Sequence, residues 1–110
     1  MNSVAKDVQA SVVIPTKNAG PQLGNVLNAL NAQQTTWPFE VLVVDSGSTD
    51  GTVELVKRYP LVRLIQISAS EFGHGKTRNF AIANTTGAFV AMLTQDALPA
   101  SSTWLAALVA

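Results

Sequence analysis

Nine side chains able to do chemistry fall where short apolar runs end: Lys17, Asn18, Asp45, Ser46, Ser48, Asp50, His74, Lys76 and Asp96. Arg78 and Asn79 follow just beyond. These types suit a phosphorylated ligand. A carboxylate accepts hydrogen bonds from a base N–H or a sugar hydroxyl, or holds a divalent cation. A guanidinium offers a planar fork to phosphate or stacks beside a base. Asp45 closes the run FEVLVVD and Asp96 closes AFVAMLTQD, so these two carboxylates stand out. His74 lies between two glycines, which favours exposure and contact. Asp50, in STDGT, reads as a helix-starting residue rather than a ligand. Lys17, Glu40, Glu54, Lys57 and Arg58 read as solvated charges, and Lys76 as part of a solvated helix start.

The elements that must position these residues alternate. Residues 11–15 (SVVIP), 39–45 (FEVLVVD), 62–67 (VRLIQI) and 88–94 (AFVAMLT) are apolar runs of strand length. Between the first two, Leu23, Val26, Leu27 and Leu30 recur at helical spacing after Pro21, which suits a first helical turn. Val53, Leu55, Val56 and Tyr59 continue a second helix, stopped by Pro60. Residues 68–76 (SASEFGHGK) read as a loop, and 77–84 as a third helix. Trp104, Leu105, Leu108 and Val109 mark a fourth. Trp37, Phe39 and Trp104 read as core or a partly covered edge. The order is βαβαβαβα. The strand runs are continuous rather than alternating, so both sheet faces are covered. The class is α/β with a parallel sheet and right-handed crossovers. In such sheets ligands bind beyond the carboxyl ends of the strands, where the residues above collect.

Composition narrows the field. The chain has 110 residues, no Cys, one His, and 7 basic against 7 acidic side chains. The zero net charge offers no footprint for nucleic acid. The lack of Cys removes disulfides, thiolate catalysis and Fe–S clusters. An apolar content of 47% argues against disorder. No stretch has the roughly 20 apolar residues of a membrane span, and the N-terminus lacks the apolar core of a signal peptide. Charged residues, at 13%, are half as common as the usual quarter. The apolar pattern WLAALVA carries no helix stop signal. Both features lead us to expect the N-terminal part of a longer domain, with an apolar edge or face that would favour self-association.

Three nucleotide-binding readings compete. A dinucleotide site needs G-x-G-x-x-G after the first strand. Here the loop is TKNAGPQLG, with glycines only at 20 and 24, and the reading fails. Residues 70–77, SEFGHGKT, approach the phosphate-cradling G-x-x-x-x-G-K-[ST], but Ser70 replaces the first Gly. The segment also follows the third strand rather than the first.

The third reading rests on an ordered set: VVIPTKN, VLVVDSGSTDGT, FGHGKTRN, and a strand ending in TQDA. Together they resemble the start of a family 2 glycosyltransferase of the GT-A fold, from about residue 12 to residue 104. FGHGKTRN with TQDA further resembles the bacterial rhamnosyltransferase-like members. The resemblance implies a three-layer α/β/α domain with a mainly parallel sheet. It implies a nucleotide-sugar site made of Pro15, Thr16, Asn18, Asp45, Gly47, Ser48, His74, Gly75, Arg78 and Gln95, with Asp45 reading the base. Asp96 corresponds to the last Asp of the family's D-x-D-like motif, and would bind Mg²⁺ or Mn²⁺ once the donor is in place. Gln95 stands where many relatives have another Asp; it can reach a ribose hydroxyl but adds no charge.

The activity so implied is transfer of a sugar, with rhamnose suggested, from a UDP- or dTDP-linked donor, inverting and metal-assisted. The acceptor would be a glycan or lipid-linked saccharide, and the location cytoplasmic, at the inner face of the membrane. The family's general base is expected beyond Ala110, since nothing after Asp96 is acidic. This chain alone is therefore expected to bind donor weakly and not to turn over. A P-loop-like NTP-binding protein and a non-catalytic nucleotide-sugar module remain the alternatives.

Overall fold

The computed structural model describes residues 8–109. Four strands form one sheet in the order β3-β2-β1-β4. They are β1 (Ala10–Thr16), β2 (Phe39–Asp45), β3 (Val62–Gln66) and β4 (Phe89–Met92). Every pairing is parallel, with Thr16 opposite Asp45 at the carboxyl ends of β1 and β2. The helices are α1 (Gln22–Asn31), α2 (Thr52–Val56), α3 (His74–Ala83) and α4 (Trp104–Val109).

Side chains alternate across β1 and divide the core in two. Ala10, Val12 and Ile14 join Val41 and Val43 beneath α1, α2 and α4, through Leu23, Val26, Leu27, Leu30, Val56 and Leu105. Trp37, Phe39 and Trp104 pack against this cluster. Val13, Leu42 and Val44 face the other way and meet Ala81 of α3. The sheet is thus the middle of three layers. No helix among the described residues is long and apolar enough to cross a membrane. Gln33, buried behind α1, ties that helix to α4: its amide nitrogen donates to Ser101 O at 2.8 Å and its oxygen accepts Leu105 N–H at 2.9 Å.

Three features depart from the sequence reading. First, α3 begins at His74 rather than residue 77, so His74, Gly75 and Lys76 form a first helical turn instead of a loop. A reciprocal pair draws the start back: Thr77 N–H donates to Gly73 O at 2.7 Å, and Gly73 N–H donates to Thr77 Oγ1 at 3.2 Å. Second, β4 is shorter than 88–94. After Leu93 N–H donates to Val13 O at 2.8 Å, a turn with Ala97 N–H on Thr94 O lifts the chain off the sheet.

Third, Glu40 is not a solvated charge. Its carboxylate is a hub at the amino-terminal end of the sheet. It accepts Ser11 Oγ at 2.6 Å, Thr86 N–H at 2.9 Å and Arg63 Nη1 at 2.9 Å. Burial pushes this carboxyl up, but the bonds from Ser11, Thr86 and Arg63 and the Arg63 charge outweigh it and hold the pKa below the ordinary glutamate range. A pKa lowered by folding stabilises the fold above the ordinary range, and that stabilisation is lost as pH falls through the lower folded value. Glu40→Gln is expected to cost about 1–2 kcal/mol at neutral pH. The difference from wild type shrinks to nothing in acid, read as urea midpoints across a pH series.

Candidate functional site

The sheet order reverses between β1 and β4: successive strands step one way from β1, and the fourth is laid on its other side. The crevice outside such a reversal is where open α/β sheets take ligands. A cavity of about 560 Å³ opens there. Its walls are Pro15, Thr16 and Lys17 at the end of β1, Ser46 after β2, Met92 to Gln95 at the end of β4 and beyond, and Ala69, Phe72, Thr77 and Arg78 from the α3 side. Among the described residues the lining holds two cations, Lys17 and Arg78, four hydroxyls and no carboxylate. Arg78 is exposed and makes no ion pair among the described residues.

Six of the residues singled out in the sequence, Pro15, Thr16, Lys17, Ser46, Arg78 and Gln95, therefore share one cavity. Asn18, Asp45, Gly47, Ser48, Gly75 and Asp96 do not line it. Asn18, Asp45, Gly47 and Ser48 belong to the strand end and loops that support it, Asp96 follows the lining residue Gln95, and Gly75 lies in the first turn of α3. His74 stands in the backbone of the first turn of α3.

Asp45 lies beneath the cavity with 1% of its surface exposed. Its Oδ1 accepts Thr16 Oγ1 at 2.7 Å and also the Ser48 hydroxyl, while Oδ2 accepts Ser48 N–H at 2.9 Å. Thr16 spends its one proton on Asp45, so toward a ligand its hydroxyl can act only as an acceptor.

The loops after β1 and β2 are laced together. Asn18, at φ 47°, accepts Thr49 N–H on Oδ1 at 2.8 Å and donates its own N–H to Ser48 Oγ at 2.8 Å. Ala19 N–H donates to Thr52 Oγ1 at 3.1 Å, and Gly20 N–H to Asp50 Oδ2 at 3.1 Å. Asp50 also accepts the Thr52 hydroxyl and its N–H, and this set holds its carboxyl below the ordinary range, the Thr52 hydroxyl contributing most. Asp50 thus stands one residue before Gly51, the N-cap of α2, holds the N–H of its first residue, and clamps the β1 loop as well. Gly47 takes φ +90°, and a Cβ there would come 3.4 Å from Lys17 Nζ.

Lys17 is a correction. It is exposed, yet its ammonium donates to Ser46 O at 3.2 Å and Gly47 O at 2.9 Å. Nothing in the spacing of a sequence signals a bond to backbone carbonyls. Thr77 and Phe72 were also missed, since both belong to a segment read as loop and helix start rather than cavity wall.

The phosphate-cradle reading of residues 70–77 fails on geometry. Ser70 sits in a 3₁₀ turn, Ala69–Glu71, closed by a capping box between Ser68 and Glu71. The buried Thr77 hydroxyl accepts Gly73 N–H instead of facing a phosphate-bound cation.

A divalent cation would find a single carboxylate here. Asp96 is exposed at the rim, next to Gln95, with Oδ1 accepting Thr94 Oγ1 at 3.2 Å. The described residues hold no cluster of three or more His, Cys, Asp or Glu able to cage a metal. That donor set fits an ion brought in by a diphosphate and completed by phosphate and water oxygens, not a preformed cage.

A family model described as Glycosyl transferase family 2 matches residues 11–110. The O-antigen chain rhamnosyltransferase RfbN of Salmonella typhimurium is 44% identical over 96 residues, which cover 86% of this chain and 30% of that protein. The crystal structure of Staphylococcus aureus TarS 1-349 in complex with UDP superposes with a TM-score of 0.79 at 31% identity, over 92% of this chain and 31% of that one. A mannosyltransferase from Pyrobaculum calidifontis, in complex with GDP-Man and Mn²⁺, gives 0.74 at 30% identity, over 86% and 29%. The chain thus spans about three-tenths of the length of each of these proteins. With its four parallel strands between two helical layers, the chain belongs to glycosyl transferase family 2 and has the GT-A fold.

Proposed function

We propose that residues 8–109 form the donor-binding part of a glycosyltransferase that takes a sugar from a UDP- or dTDP-linked donor. Rhamnose is the sugar and a growing glycan or lipid-linked saccharide the acceptor. The observation that carries this reading is the cavity at the β1/β4 reversal, with two cations and, among the described residues, no carboxylate in its lining. A diphosphate fits such a lining, and the single rim carboxylate, Asp96, fits the cation that accompanies it. A rhamnosyltransferase among the relatives and a neighbour solved with UDP support the same choice.

The residues divide the work. Arg78 faces the diphosphate with a forked cation. Pro15, Phe72, Met92 and Leu93 give the base and ribose an apolar wall that excludes water. Thr16 presents an acceptor to a base N–H, held in that sense by Asp45. Mg²⁺ or Mn²⁺ on Asp96 would neutralise charge on the leaving diphosphate. The step is inverting, and the base that deprotonates the acceptor is assigned outside residues 8–109.

Calorimetric titration with UDP, dTDP, ADP and GDP, with and without Mn²⁺, tests this. UDP or dTDP is expected to bind at least about tenfold more tightly than the purine diphosphates, a difference of roughly 1.4 kcal/mol. Arg78→Ala should lower that affinity by about tenfold or more, the worth of a hydrogen bond to a charged group. Asp96→Ala should make binding the same with and without Mn²⁺. Equal binding of all four nucleotides, or ATP binding lost on Lys76→Ala, would overturn the reading.

A further inference from the structure

The walls of the cavity converge on one residue. β1 and β4 pair only as far as Val13 and Met92, with one more bond from Leu93 N–H to Val13 O. Beyond that point β1 runs on beside β2 to Thr16, while β4 turns away. Gln95 bridges the gap so opened. Its Oε1 accepts Lys17 N–H at 2.9 Å and its Nε2 donates to Lys17 O at 3.4 Å. One amide thereby takes both polar groups of a single residue's main chain. The Lys17 side chain continues the brace to Ser46 O and Gly47 O.

The chemistry explains why this position suits glutamine. An amide carries a donor and an acceptor side by side and matches a peptide N–H and C=O together. A carboxylate only accepts, so an Asp or Glu here would set a negative oxygen against the Lys17 carbonyl. The brace therefore needs the uncharged residue, and among the described residues it leaves Asp96 as the acidic group beside it in sequence.

We propose that Gln95 is a positioning residue that clasps the Asp96-bearing loop onto Lys17, and that its amide stays there when nucleotide binds rather than turning to the ribose. The proposal rests on the donor-site reading for its consequence, which is that the clasp fixes where Asp96 meets the cation on the diphosphate. The geometry of the clasp itself stands without that reading.

Amide hydrogen exchange and calorimetry on wild type, Gln95→Ala and Gln95→Glu test it. In the free chain, Gln95→Ala should speed exchange at Lys17 by about tenfold or more, the loss of one well-made hydrogen bond. Exchange at Val43, in the core of β2, should not change, which separates local opening from general destabilisation. Gln95→Glu keeps an acceptor for Lys17 N–H but sets a negative oxygen against Lys17 O, so it should restore only part of the protection. Bound UDP with Mn²⁺ should leave the Lys17 amide protected in wild type. Gln95→Ala should weaken UDP binding by about tenfold in Mn²⁺ and leave metal-free binding unchanged. Two results would overturn the proposal. One is Lys17 exchange in Gln95→Ala within about twofold of wild type; the other is an equal loss of UDP affinity with and without Mn²⁺, which marks a direct ribose contact. If UDP binds to none of the three proteins, the donor-site reading fails, and exchange at Lys17 alone decides the clasp.

Discussion

Gly87→Ala is expected to cost about 3 kcal/mol, a large share of the chain's stability. A Cβ at this position would lie 2.6 Å from three atoms at once: Ala10 C, Ser11 N and Ser11 Oγ. Two of them are backbone in β1, the central strand through which β2 and β4 are joined. No side-chain rotation relieves such a clash; either β1 or the start of β4 must move. Gly87 N–H also donates to Ser11 Oγ at 2.9 Å, and Ser11 Oγ in turn donates to Glu40. Displacement therefore breaks the Glu40 hub too. Overpacking a close-fitted site typically costs about 1–3 kcal/mol, and rigid backbone on the other side puts this one at the upper end. A domain of this length has a net stability of about 5–15 kcal/mol, so the melting temperature should fall by roughly 15–20 °C. Gly75→Ala is the control. A Cβ there meets nothing within 4 Å, and alanine favours the helix, so its melting temperature should rise slightly. Differential scanning calorimetry of both variants reads the contrast, and a Gly87→Ala chain as stable as wild type would show that β4 is not set against β1 in this way.

Much of this arrangement was legible in the residue order. The run FEVLVVD is β2 to the residue, because a buried parallel strand is marked by a near-continuous apolar run rich in valine, here VLVV, and is ended by a polar residue. The four leucines and valines of α1 named from their spacing are all buried. Strand-end logic brought Pro15, Thr16, Arg78 and Gln95 to one cavity from three separate segments. What escaped has a common cause. Glu40 sits in a strand as the second of seven residues, and its neighbours in sequence say nothing of Ser11, Arg63 and Thr86, which reach it from three other places. Lys17 bonds to carbonyls 29 and 30 residues away. The early start of α3 depends on a reciprocal Gly73–Thr77 pair that helix propensity does not register. Periodicity reports which face of an element is apolar; it does not report which loops will be laced together. The site is built mostly from such lacing.

That distinction governs the second large effect, at Asp45. Asp45→Ala is expected to lower UDP affinity by roughly tenfold to a hundredfold, the range for hydrogen bonds that engage a charged group. The route of the loss is what the structure specifies. Asp45 is almost wholly buried and outside the cavity lining, whereas Thr16, which donates to it, is part of that lining. Removing the carboxylate frees the Thr16 hydroxyl to turn, so that it offers its proton where a base N–H needs a lone pair. It also leaves Ser48 N–H without its acceptor and loosens the loop that holds Asn18. Thr16→Val should therefore lose nearly as much affinity as Asp45→Ala, and the double variant little more than either one. Such non-additivity is the mark of two groups acting as one unit. If Asp45 instead swung out to meet the base itself, the two losses would add, and Thr16→Val alone would be mild. Titration of UDP into the two single variants and the double variant distinguishes the cases. Circular dichroism melts show whether either single change has unfolded the sheet. Asp45→Asn refines the result: it preserves the shape of the side chain, but its NH₂ group must face either the Ser48 N–H or the two hydroxyls. The hydroxyls can rotate to donate elsewhere, so this variant should keep its fold and still lose most of the affinity, tying recognition to the charge beneath Thr16 rather than to the packing around it.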